Sequence, residues 1–114
     1  MKYDVRFLIM LDASEDASTI MNRILKRCSQ GSRSKLYSSD MRGNFIEVVP
    51  NEDYDLERVD EGDEGEFYRY RLEVTPVSDD VTEAQQIELI RELEQLTAEN
   101  NWKTFPCAFF KYPP

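Results

Sequence analysis

The chain contains no histidine. Histidine is the side chain whose ordinary pKa lies near neutrality, and it is the base in catalytic triads and in cysteine–histidine pairs. Its absence excludes both kinds of site, so we expect a non-enzymatic protein without catalytic residues. An enzyme that uses carboxylates would need strongly perturbed groups, which a sequence does not reveal.

Cysteine and long apolar segments are also scarce. Cys28 and Cys107 are the only cysteines, and they have neither the number of a secreted disulfide scaffold nor the paired spacing of a zinc site. We expect two buried thiols. The apolar run from Phe7 to Leu11 is too short for a membrane span or a signal-peptide core. These features predict a cytoplasmic protein that does not bind a membrane.

Sequence motifs for cofactors and metals are missing. There is no GxGxxG, Walker-type loop, GxSxG, HExxH or CxxC, so nucleotide, esterase, zincin and dithiol sites lack support. Asn51, Asp53 and Asp55 have the spacing of the first calcium ligands in an EF-hand loop. Leu56 replaces the required glycine, however, and Gly62 replaces the bidentate glutamate. We expect neither a cofactor nor a metal.

Negative charge is concentrated in one short segment. The net charge of the chain is −9. Residues 52–66 hold nine acids and one base, a net charge of −8, whereas the other 99 residues hold 14 acids and 13 bases. The chain is therefore a nearly neutral domain with one acidic segment. We call this segment, at about residues 51–65, the acidic loop.

The acidic loop contains two glycines and no steady apolar period, which predicts a long, mobile connection. Two interpretations stay open: a solvated loop whose charges repel one another, and a contact with a basic surface of another protein. A polyanion steers encounter with a cationic partner and repels phosphate. Inhibitors, immunity proteins and anti-defence proteins of this size could act in this way, whereas nucleic-acid binding is not expected. The candidate partner-binding residues are Asp53, Asp55, Glu57, Asp60, Glu61, Asp63 and Glu64.

The first third of the chain predicts a strand followed by a helix, within a single domain of residues 1–114. Apolar residues alternate from Tyr3 to Leu11. Asp12 stands where an N-cap would, with Glu15 three residues later as in a capping box, and Gly31 would end the helix. Apolar residues recur in this helix at three- and four-residue spacing and are predicted to form its buried face: Ala17, Ile20, Met21, Ile24, Leu25 and Cys28.

The rest of the chain predicts further strands and a second helix. Residues 34–39 and Phe45–Val49 form either one irregular strand or a hairpin, and Glu66–Thr75 alternates clearly. A second helix capped by Ser78, Asp79 or Asp80 runs to about Ala98 with Val81, Ala84, Ile87, Ile90, Leu93 and Leu96 buried. A last strand, Trp102–Phe110, contains Pro106 and is therefore expected at an edge.

This order predicts an α+β fold, a ferredoxin-like split β-α-β sandwich. Its antiparallel sheet would have four or five strands, with two helices on one face. The other face would present Arg6, Leu8, Met10, Phe67, Arg69 and Arg71.

Leu8 and Met10 would be exposed on this face, so we expect a cover. The candidates are the C-terminal stretch with Phe109, Phe110 and Tyr112, a second copy, or another protein. The main functional hypothesis is a protein-binding module that uses the acidic loop. The alternative is a homodimeric small-ligand-binding or regulatory module with this sheet face as its interface.

Overall fold

The described chain folds into six strands, two α-helices and one 3-10 turn, in the α+β class that the sequence predicts. The structure is a computed structural model and describes residues 4–28 and 30–114. The start of the first predicted strand, at Tyr3, lies outside these residues. The elements are β1 (Phe7–Asp12), α1 (Ala17–Arg27), β2 (Gly31–Lys35), β3 (Ser38–Met41), β4 (Asn44–Pro50), the 3-10 turn (Leu56–Arg58), β5 (Tyr70–Pro76), α2 (Glu83–Glu99) and β6 (Lys103–Ala108).

The six strands form one open antiparallel sheet in the order β2-β3-β4-β5-β1-β6. β1 is an interior strand next to the edge, and its Ile9 lies opposite Leu72 of β5 on one side and Pro106 of β6 on the other. β6 is an edge strand, as its proline predicts. The expected number of strands is too low, because the segment after α1 forms both β2 and β3 and widens the sheet beyond β4.

One face of the sheet shares a hydrophobic core with both helices. In the strands, the alternating residues of β1, β4 and β5 point into this core, because successive side chains of a strand point to opposite faces. The buried members include Phe7, Ile9, Leu11, Met41, Ile46, Val48, Tyr70, Leu72 and Val74 from the strands, and Ile20, Met21, Ile24, Leu89, Ile90, Leu93 and Leu96 from the helices. We call the opposite side the open face, and it carries Leu8, Met10, Arg71, Glu73, Phe105 and Cys107.

α1 begins later than the sequence predicts. Asp12 is the last residue of β1, and its carboxylate accepts a hydrogen bond from the backbone N–H of Arg69 at 3.2 Å. The N-cap is Asp16, whose carboxylate accepts from the N–H of Thr19 at 2.8 Å. Glu15 therefore makes no capping box and instead accepts from the indole N–H of the buried Trp102.

α2 also begins later than predicted, because a better cap follows the expected ones. Thr82 accepts from the N–H of Gln85 at 3.2 Å, while the Gln85 side chain accepts from the N–H of Thr82 at 2.8 Å. This reciprocal capping box satisfies two N–H groups that helix geometry leaves unpaired. The earlier candidates Ser78, Asp79 and Asp80 lie in the turn before it. Of the predicted stripe, Val81 precedes the helix, Ala84 is exposed and Ile87 is half-buried. Gln86 and Leu89 are buried instead.

The segment after α1 forms two hairpins, where the sequence left open one irregular strand or a hairpin. Gly31, expected as a helix stop, is the first residue of β2. β3 and β4 are joined by Arg42 and Gly43, whose φ values are 51° and 80°. Two successive positive φ values are typical of the two-residue turn that matches the twist of a hairpin. A Cβ on Gly43 would lie 2.7 Å from a methyl group of Val81.

A buried pair of amide side chains connects α2 to the sheet. Asn44, at the start of β4, and Gln86 are each 1% exposed. The Asn44 amide donates to Gln86 Oε1 at 3.0 Å, and the Gln86 amide donates to Asn44 Oδ1 at 2.8 Å and to the Val5 carbonyl at 3.0 Å. The pair therefore satisfies polar groups that would be costly to bury alone.

Candidate partner-binding site

The acidic loop is closed at its base by hydrogen bonds. Asn51, 7% exposed, donates through its side chain to the carbonyls of Glu66 and Tyr68, at 2.9 and 2.7 Å. Its backbone N–H donates to the carbonyl of Arg69 at 2.9 Å. One buried amide thus joins the two ends of the loop, which the sequence alone presents only as a connection without regular structure.

Local contacts also shape the tip of the loop. The Asp55 carboxylate caps the 3-10 turn by accepting from the N–H of Glu57 at 3.0 Å. Arg58 donates to Glu61 at 3.1 Å, and its guanidinium lies 4.3 Å from the centre of the Phe67 ring. Arg58, the only base among residues 52–66, therefore contacts the loop itself and the adjacent Phe67.

The acidic loop covers part of the open face. Gly65 has φ 70°, and a Cβ there would lie 2.8 Å from both the Met10 Cβ and the ring of Tyr68. Met10 is consequently only 9% exposed. Lys103 of β6 forms an ion pair with Asp60, and this hydrogen bond raises the pKa of Lys103. The loop therefore lies against the sheet instead of extending away from it.

The C-terminal residues, the expected cover, pack largely elsewhere. Phe110 and Tyr112 contact the hydrophobic core on the helix side. The Tyr112 hydroxyl donates to Glu94 of α2, and burial together with this bond raises the pKa of Tyr112 to about 12. Phe109 is exposed, with the guanidinium of Arg6 at 4.6 Å from its ring centre. At Met10 the acidic loop, and not Phe110 or Tyr112, is the cover.

Most acids of the segment face solvent. Asp55 is half-buried, and the other eight acids between residues 52 and 66 are exposed. Of these nine acids, only Asp60 and Glu61 form an ion pair with a described residue. Two apolar or aromatic side chains accompany them, since Leu56 is 72% and Tyr54 39% exposed. The exposed acids are Glu52, Asp53, Glu57, Asp60, Glu61, Asp63, Glu64 and Glu66.

The residues predicted for the outer sheet face separate into two groups. Leu8, Met10 and Arg71 lie on the open face, where Arg71 donates to Glu73 at 3.2 Å. Arg6 precedes β1 and pairs with Asp4. Phe67 and Arg69 do not continue this face, because β5 begins at Tyr70 and not at Glu66. Phe67 packs within the loop, and Arg69 donates to the carbonyl of Ser14 at 2.8 Å.

The cysteines differ from the expectation of two buried thiols. Cys28 is buried, whereas Cys107 on the edge strand β6 is half-buried. Burial raises the pKa of both thiols, with a smaller contribution from Glu92 at Cys28 and Glu64 at Cys107. Within residues 4–28 and 30–114, no three acidic or cysteine side chains converge as metal ligands, and no helix has the length and apolarity to cross a membrane.

A cleft lies beside the acidic loop, and the sequence did not predict it. We call it the tyrosine cleft, because Tyr37, Tyr54 and Tyr70 line it together with Val48 and Pro50, around a volume of about 400 Å³. Arg69 and the first turn of α1 complete its rim. These residues come from separate segments, so no local sequence pattern marks the site. No protein-family model, curated protein or solved structure matches this chain, so its function is inferred from its own geometry.

Proposed function

We propose that this chain is a non-enzymatic protein-binding module whose acidic loop contacts a basic surface of another protein. Its scaffold is a ferredoxin-like split β-α-β sandwich with an additional β2–β3 hairpin. The proposal for the scaffold is supported by the strand order β4-β5-β1-β6, with α1 between β1 and β2 and α2 between β5 and β6. Because this architecture carries many unrelated functions, the functional proposal rests on the loop.

The observation that carries the proposal is the exposure of unpaired carboxylates on a loop with defined hydrogen bonds. Glu52, Glu57, Asp63 and Glu64 are exposed and make no side-chain hydrogen bond or ion pair with the described residues. The buried Asn51 satisfies two backbone carbonyls at the base and so holds the loop in one shape. A pre-shaped loop loses less conformational entropy on binding, which raises affinity for a complementary cationic surface.

The exposed apolar residues of the loop support binding to a protein in particular. Leu56 and Tyr54 lie among the acids, and binding energy in protein interfaces comes mainly from a few large side chains surrounded by polar ones. Charge alone speeds encounter, and buried apolar contacts slow dissociation. The acidic loop offers both.

The test is a pull-down from native lysate with a charge variant that leaves the loop contacts intact. Glu52, Glu57, Asp63 and Glu64 become Gln or Asn, so that Asp55, Asp60 and Glu61 keep their bonds. The control neutralises three exposed acids outside the loop that form no ion pair with the described residues: Asp80, Glu83 and Glu88. We expect a partner captured by the wild type and the control but not by the loop variant, and released by salt, because exposed charges are screened over about 10 Å. Capture of the same partner by both variants would contradict the proposal.

A homodimeric module is the second candidate, and one observation favours it. Leu8 and Cys107 are half-buried and Phe105 is 37% exposed, on neighbouring positions of the open face. A second copy would bury them, and a small ligand would bind at the interface. A monomeric mass at micromolar concentration excludes this candidate, whereas a dimer insensitive to salt and disrupted by Phe105→Glu supports it.

A further inference from the structure

The tyrosine cleft is continuous with the acidic loop. Tyr54 belongs to the loop and forms one wall of the cleft, and Tyr37 of the β2–β3 turn lies at the rim. Both side chains are partly exposed, at 39% and 49%. The volume of about 400 Å³ lies within the usual range of ligand pockets. A partner segment that contacts the acidic loop therefore has a neighbouring aromatic cleft available.

Several hydrogen-bond donors lie along one side of the cleft. Arg69 uses one guanidinium N–H on the Ser14 carbonyl and has others at the rim. The N–H groups of Ala17 and Ser18, in the first turn of α1, have no intrahelical acceptor. The Asp16 carboxylate caps the helix by accepting from the N–H of Thr19. The donors of Arg69, Ala17 and Ser18 therefore favour a ligand that brings acceptors.

The charges around the cleft decide which acceptors fit. Asp16 lines the cleft, and the exposed acids Glu52 and Asp53 lie in the chain between the lining residues Asn51 and Tyr54. This negative charge disfavours phosphate or carboxylate, so neutral carbonyl oxygens are preferred. Proline residues supply carbonyl oxygens without N–H groups that would need acceptors. Their rings pack on aromatic side chains, and grooves lined by aromatic residues bind extended proline-rich segments.

We infer that the tyrosine cleft binds a proline-rich segment of the basic partner, with arginine or lysine next to the prolines to contact the acidic loop. This inference rests on the proposed function of the loop. The larger cavity, about 690 Å³, lies at the other end of the strands between Val5 and Thr82. It is remote from the acidic loop, so it does not enter the inference.

The experiment compares two synthetic peptides by calorimetry and by amide chemical shifts of the isotope-labelled protein. The first is an oligoproline with arginine at both ends, and the second replaces its prolines with alternating glycine and serine. We expect the proline peptide to bind about tenfold more tightly and to shift the amides of Ala17, Ser18 and Tyr37. Tyr54→Ala should weaken the proline peptide by about tenfold, since large aromatic anchors dominate such interfaces. Phe109→Ala is the matched control, because Phe109 is an exposed aromatic residue outside both the acidic loop and the cleft.

The outcomes separate the cleft from the loop. Equal binding of both peptides, lost when Glu52, Glu57, Asp63 and Glu64 are neutralised, would overturn the inference and support the proposed function. Binding of the proline peptide that is unchanged by neutralisation would support the cleft and overturn the role of the loop. Failure of both peptides to bind at millimolar concentration would overturn both.

Discussion

Replacing Gln86 by leucine should strongly destabilise the fold, because it removes the centre of a buried amide network. The change breaks three hydrogen bonds and leaves three groups without their partners. These are the side-chain N–H and the side-chain carbonyl of Asn44, and the backbone carbonyl of Val5. Each buried polar group without a partner costs about 1–3 kcal/mol. Leucine restores apolar contact at similar size, so we expect a net loss of about 3–5 kcal/mol in the free energy of unfolding.

The assay is urea denaturation followed by fluorescence of Trp102, the single tryptophan, which is 8% exposed. Gln95→Leu is the matched control, because Gln95 is exposed on the same helix, and it should change stability by less than about 0.5 kcal/mol. Combining Gln86→Leu with Asn44→Val removes two of the unpaired groups. The loss in the free energy of unfolding for the double variant should therefore be smaller, by about 2 kcal/mol, than the sum of the two single losses. A loss below about 1 kcal/mol for Gln86→Leu, or strictly additive effects, would refute this reasoning.

Three further substitutions test other contacts of the fold. A hydrogen bond from Arg42 lowers the pKa of Glu92. This carboxylate therefore stabilises the fold at pH values above its ordinary pKa, and the contribution is lost as the pH falls through the lowered value. Glu92→Gln should reduce the dependence of urea stability on acid pH, and an unchanged pH profile would contradict this. Gly43→Ala should cost about 1–3 kcal/mol, because the residue has φ 80° and a Cβ would crowd a valine methyl; a stability equal to the wild type would show that the turn relaxes. Tyr112→Phe should remove from the ultraviolet titration the tyrosine whose pKa is about 12, and should lower the free energy of unfolding by about 1 kcal/mol. If the tyrosine that disappears from the titration has an ordinary pKa, the bond from Tyr112 to Glu94 is contradicted.

The positions of the helix caps show why boundaries are harder to predict than elements. Asp12 fits the local pattern of an N-cap, yet its carboxylate bonds to the backbone of Arg69, which is distant in sequence. The cap moves to Asp16, four residues later. Pattern reasoning considers only nearby residues, so it found α1 but missed its start.

The candidate site divides in the same way. Its charge could be counted in the sequence, and the candidate acids from Asp53 to Glu64 are exposed except for Asp55. The closure of the loop by Asn51 and its contact with Met10 required coordinates. The tyrosine cleft was missed entirely, because Tyr37 and Tyr70 are far apart in the chain.

The sequence by itself determined the α+β class, the central strands, both helices and the location of the charge. These features follow from periodicity and composition, which act over a few residues because side chains alternate in strands and recur every three or four residues in helices. The tertiary structure decided the six-stranded order, the buried pair of Asn44 and Gln86, the packing of the acidic loop on the open face and the formation of the tyrosine cleft. Each of these depends on contacts between segments that are distant in sequence, and their geometry exists only once the sheet has formed.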